Sequence, residues 1–145
     1  MLQENQGRPR IKCLREHHMG KEEMKDFTYP GYKLDKCFCC ETYSKGVHIV
    51  ARNDMIYQAI NLNKVCKEKF FEISAVTIQT CSTKVIICCV YRSPSENPNY
   101  FLQHLEKTVK LIYQPTVSLV ICGDLNKLSY RKSSEAKPRI NNENL

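Results

Sequence analysis

The sequence predicts an α/β fold with a mainly antiparallel portion, and three stretches carry that prediction. Lys84 to Tyr91 is the most strongly β-prone segment of the chain. Behind Asn97-Pro98, the residues Phe101, Leu105, Val109 and Ile112 recur at three- and four-residue steps and give one apolar helical stripe. Leu119 to Cys122 is an apolar run short enough for a buried strand, and it ends abruptly in Gly123-Asp124-Leu125-Asn126. Several strands, then a helix, then one more strand is the order of an α/β protein.

The elements follow in chain order. Met1 to Arg10 is polar, with Pro9 barring a helix. Ile11 to Arg15 reads as a short strand running into Glu16, His17 and His18. Lys21 to Phe27 reads as a short helix that ends before a Tyr29-Pro30-Gly31-Tyr32 turn. Tyr32 to Cys39 and Val47 to Arg52 read as a strand pair across a loop from Thr42 to Gly46. Asn53-Asp54 is a turn, Ile56 to Leu62 a weaker strand, and Glu72 to Thr80 an alternating one. Asn97 suits the cap of the helix and Pro98 its first turn, while Pro115 stops it. After Asn126 the polar sequence reads as a loose, disordered basic tail. The resulting division is 1–10, a polar segment; 11–126, the folded part; and 127–145, the tail.

Composition bounds the function. A chain of 145 residues, 42% apolar and 26% charged, is one globular domain or part of one. No apolar run approaches the ~20 residues of a membrane span. Nine cysteines without a signal peptide at the start, several inside strand-like runs, read as reduced, buried thiols of an intracellular protein, nuclear or cytoplasmic and not secreted. The net charge of +7 favours a polyanionic partner and fixes none.

The chemistry-bearing residues collect at predicted strand ends, where side chains converge on a rigid backbone. Glu16 follows the first strand, Tyr91 ends the strongest one, and Asp124 and Asn126 follow the last. With their i, i+2 spacing, Asp124 and Asn126 point the same way if the chain is extended, and Leu125 points into the core. Other polar residues have plainer readings. Cys37 and Cys40 have a zinc-like spacing but no second pair, and Cys88-Cys89 face opposite sides of one strand, so buried thiols are read instead. His17 and His18 read as solvent or hydrogen-bonding residues, and His48 and His104 show no partner in the sequence. Glu72 reads as a charge at a strand edge, and Lys67, Glu68 and Lys69 as a solvated loop.

Four motifs occur together: CLREHH (Cys13–His18), Gly46-Val47 entering a strand, VYRSP (Val90–Pro94) and ICGDLN (Ile121–Asn126). In this order and spacing the chain resembles the endonuclease domain of non-LTR retrotransposons, within the exonuclease–endonuclease–phosphatase superfamily. The resemblance covers Ile11 to Asn126. It implies part of a two-sheet β-sandwich flanked by helices, carrying a metal-dependent phosphodiesterase that nicks DNA. By the resemblance, Glu16 holds a divalent cation, Mg²⁺ or in its place Mn²⁺. Tyr91 contacts the phosphate, Asp124 orients or deprotonates the attacking water, and Asn126 positions the phosphate. A hard cation prefers carboxylate oxygen and neutralises charge growing on phosphate, so the assignment is chemically coherent.

The departures from the family pattern set the expected activity. The family carries a strand with an asparagine before the EHH-like motif and a Ser-Asp-His element at its end. Here ten residues precede Ile11, no histidine follows His104 and no aspartate follows Asp124. Arg15 stands where the family has a threonine-type residue, Lys45 replaces a glycine and Leu125 a phenylalanine. The expectation is therefore a fold truncated at both ends, an endonuclease impaired or inactive, with weak or no metal binding. It would bind DNA weakly and without sequence preference, and need no membrane and no obligate small-molecule cofactor. The alternative is a non-catalytic nucleic-acid-binding remnant with no selected activity.

Overall fold

A computed structural model describes residues 7–15, 19, 21–34, 46–67 and 69–125. They form two antiparallel-rich sheets. The first holds β1 (Ile11–Arg15), β2 (Tyr32–Leu34) and β3 (Val47–Arg52) in the order β1-β3-β2. The second holds β4 (Tyr57–Ile60), β5 (Phe71–Gln79), β6 (Lys84–Arg92) and β7 (Ser118–Asp124), in sequence order across the sheet. A short helix, α1 (Lys21–Asp26), lies between β1 and β2, and α2 (Pro98–Ile112) connects β6 to β7. β6 and β7 are parallel, as a helical crossover requires, and all the other strand pairs are antiparallel.

The strand pair expected across the Thr42–Gly46 loop is present, with Lys33 opposite Ala51. Its first strand is described only over Tyr32–Leu34, since 35–45 lie outside the described residues. The sequence did not show that β1 takes the other side of β3, Cys13 facing Ile49. The turn before β2 closes with Tyr32 N–H donating to the Tyr29 carbonyl at 2.9 Å, and Gly31 supplies its φ of 85°. Proline then glycine in the middle of a turn is the type II signature.

Two cores result, one on each face of the second sheet. Along β6, Ile86, Cys88 and Val90 point to α2, where they meet Phe71, Ile73, Phe101 and Ile112. Cys89 and Tyr91 point the other way, into the layer between the sheets, with Val47, Ile49, Val76 and Ile78. The opposite orientation expected of Cys88 and Cys89 is thus observed. The sheets meet where β3 lies against β5 and β6, and β1 against β6 and β7.

Asn97 caps α2 by accepting from Asn99 N–H at 2.9 Å. The buried stripe of α2 differs from the expected one in its middle: Phe101 and Ile112 are buried, Leu105 and Val109 are only half-buried, and Thr108 is buried between them. Its hydroxyl donates to the His104 carbonyl one turn earlier at 2.9 Å, which satisfies the polar group and lets its methyl pack.

Two expectations are corrected. The run Leu119–Cys122 is not a buried strand: Val120 is 47% and Ile121 41% exposed, because β7 is the last strand of its sheet among the described residues. Glu72 is not an edge charge either. It is fully buried on β5, opposite Tyr91, and accepts Lys69 N–H at 3.2 Å.

Candidate active site

Parallel pairing of β6 and β7 sets the geometry. Register places Tyr91 beside Asp124, and antiparallel pairing with β5 places Glu72 on the other side of Tyr91. Glu72, Tyr91 and Asp124 therefore form one row across three strands. Side chains in register lie on the same face of a sheet, and this face is the one toward the first sheet. Tyr91 is buried in that layer.

From the first sheet, Arg15 at the end of β1 reaches across. Its guanidinium is 2.6 Å from the Asp124 carboxylate, with the two side chains 54% and 25% exposed. An ion pair so open to water stabilises the fold by no more than about 1 kcal/mol. Its chemical effect is local: it occupies a carboxylate oxygen at the strand end.

Two further residues hold the exit of β7. Gly123 has a φ of 137°, and a Cβ there would lie 1.9 Å from the Val90 carbonyl oxygen. Only glycine lets β7 approach β6 this closely just before Asp124. Buried Arg92 donates from Nε to the Leu125 carbonyl at 3.0 Å, and from its terminal nitrogen to the Glu96 carbonyl at 2.6 Å. It thereby ties the chain after Asp124 to the turn before α2. Leu125 packs against the α2-side core, as its position after Asp124 predicts.

Of the four residues singled out from sequence, the structure brings Tyr91 and Asp124 together. Glu16 and Asn126 lie outside the described residues, as do His17, His18, Cys37 and Cys40. Glu72 and Arg92 joined the site without being foreseen. The arginine of VYRSP was the available signal for one, and nothing in a single sequence marks a strand-opening glutamate as buried.

Among the described residues, the side chains grouped closely enough to hold a metal together are Cys13, Cys89 and Cys122, three soft donors. Glu16, the residue matched to the metal, lies outside the described residues, and Asp124 is engaged by Arg15.

No family model matches the sequence, and no curated protein matches it. The structure is similar to the endonuclease domain of TRAS1, a telomere-specific non-LTR retrotransposon, with a TM-score of 0.53 and 14% sequence identity. The chain shares the fold of a retrotransposon endonuclease domain. The likeness covers 68% of this chain but 42% of that one, so the chain spans less than half of the endonuclease domain it resembles. The two-sheet α/β architecture expected from the motifs is borne out. Among the described residues no helix is long and apolar enough to cross a membrane.

Proposed function

We propose that this chain is a nuclease-type phosphodiesterase module whose hydrolytic activity on DNA is attenuated at Asp124 by Arg15. The observation that carries the reading is Asp124, in register with Tyr91 at the end of a parallel strand pair and held by Arg15 at 2.6 Å. A carboxylate at that position is suited to take a proton from water attacking a phosphodiester, and buried Tyr91 next to it in register is the residue assigned to contact the phosphate in this reading. The guanidinium competes for the same oxygen. An exposed pair worth about 1 kcal/mol slows that role about fivefold. Glu16 is the residue assigned to Mg²⁺ or Mn²⁺ in this reading, and Asn126 the one assigned to the phosphate.

The test is nicking of supercoiled plasmid in Mg²⁺ or Mn²⁺ by the wild type, Arg15→Thr and Asp124→Asn. Arg15→Thr should nick about fivefold faster than the wild type, and Asp124→Asn should nick more slowly than either. Equal rates for the wild type and Arg15→Thr would overturn the attenuation, and an Asp124→Asn as active as the wild type would overturn the nuclease reading.

The net charge of +7 favours a second reading, binding of DNA without cleavage. Binding should be weak, indifferent to sequence, and lost steeply as salt rises from 50 to 200 mM, on the order of the change expected for phosphate contacts. A filter-binding salt series checks it. Affinity that survives the salt, or that selects one sequence, would contradict this reading.

A further inference from the structure

Six cysteines fall among the described residues, all of them thiols, and three meet at one point. Cys13 comes from β1 in the first sheet, Cys89 from β6 and Cys122 from β7 in the second, the last two being in register. The Sγ atoms all lie within 4.8 Å of one another, and those of Cys13 and Cys122 are 2.9 Å apart. Cys89 is buried and the other two are half-buried, so the cluster is enclosed yet open at its margin. Each of the three sits two residues before a residue of the candidate active site: Arg15, Tyr91 and Asp124. The thiols therefore form the layer directly beneath that row.

We infer that Cys13, Cys89 and Cys122 form a three-sulfur site for a soft monovalent cation, Cu(I), which ties the two sheets together beneath the candidate active site. The choice of ion follows from donor type and number. Thiolates select Cu(I), zinc and iron–sulfur clusters over hard cations. Structural zinc takes four protein ligands, and the cluster offers three. With metal–sulfur bonds of about 2.3 Å, a trigonal site needs its sulfurs about 4 Å apart, so the Cys13–Cys122 pair at 2.9 Å has to open by about 1 Å while all three stay within the 4.8 Å that already encloses them. As each sulfur takes the metal, its proton goes to solvent. This inference stands apart from the nuclease reading and survives or fails without it.

The experiment uses the full chain with Cys37, Cys39 and Cys40 changed to serine, so that those thiols do not compete. Under nitrogen with a phosphine reductant, Cu(I) is titrated against a chromophoric Cu(I) chelator. One Cu(I) per chain is expected, with X-ray absorption showing three sulfur neighbours at about 2.3 Å. In that background Cys122→Ser and Cys13→Ser should each weaken binding by at least ~10-fold, and Cys81→Ser should not change it. The sulfur count keeps the inference testable if a cysteine variant fails to fold. A two-sulfur spectrum, equal affinity across the variants, no uptake, or Zn²⁺ retained in preference to copper would each overturn it.

Discussion

β6 and β7 are neighbours with nearly the same apolar vocabulary, Val-Ile-Ile-Cys-Cys against Leu-Val-Ile-Cys, and they meet opposite fates. β6 has a strand on either side, α2 over one face and the first sheet over the other, and is buried from Ile86 onward except for a half-buried Ile87. β7 has β6 on one side, and its apolar residues stand half out in solvent. The contrast teaches that an apolar run predicts a strand, whereas its place in the sheet order decides how deeply it is buried. β7 remains attached through two backbone devices, the close approach at Gly123 and the carbonyl of Leu125 held by Arg92.

The largest effect is expected where the two strands touch. Gly123→Ala must push a Cβ into the Val90 backbone and hold a positive φ, so β7 should separate from β6 at its end. A loss of more than ~3 kcal/mol in urea unfolding is expected, since backbone clash and strain add. A loss under about 1 kcal/mol would show that the strands are not locked there.

The next pair measures the contrast directly. Ile86 of β6 is buried, and Ile121 of β7 is 41% exposed. Ile86→Ala should cost about 2–5 kcal/mol, and Ile121→Ala roughly 1 or less, by the same unfolding measurement. Equal losses would mean that β7 is covered in solution.

The smallest effect concerns the helix that covers β6 but not the outer face of β7. His104 on α2 packs edge-on to Tyr100 and beside Phe71. Desolvation first, then the nearby Lys67 charge, lowers its pKa below the ordinary value of 6.5. The unfolded chain then binds the proton more readily. Stability from this group is fully present above about pH 6.5 and is lost as pH falls toward the lowered folded value. The wild type should lose slightly more stability between pH 7 and 5 than His104→Gln, read from paired thermal melts. A wild type that loses less would reverse the sign of the assignment.

Much of this was legible in the sequence. The helix from Asn97, the strands β5 and β6 and the strand ending at Asp124 all follow from period, caps and turn residues acting over a few positions. The meeting of Tyr91 with Asp124 was legible only through the motifs that resemble one family. What could not be read depends on residues distant in the chain. The burial of Glu72 comes from the first sheet lying over β5, and the exposure of Val120 from the order of strands. The cysteine cluster joins positions 13, 89 and 122, whose spacing carries no metal signature. Arg15 stood out as a departure from a motif, but its partner Asp124 appears only once β1 lies against β7.

The two sides of β6 also differ in when they can be made. β5 and β6 are joined by a turn in which Thr80 and Thr83 exchange hydrogen bonds, so their pairing closes a short loop. The register of β6 with β7 begins at Val85 and Ser118, with all of α2 between them. Closing the longer loop is entropically later, and parallel pairing has no tight turn to start it. A growing or refolding chain therefore has a hairpin with one open edge before β7 arrives, and amides of β7 should be the last among the described strands of this sheet to gain protection from exchange with solvent. The carboxylate of Asp124, the sulfur of Cys122 and the bridge from Arg15 are all delivered by that final step.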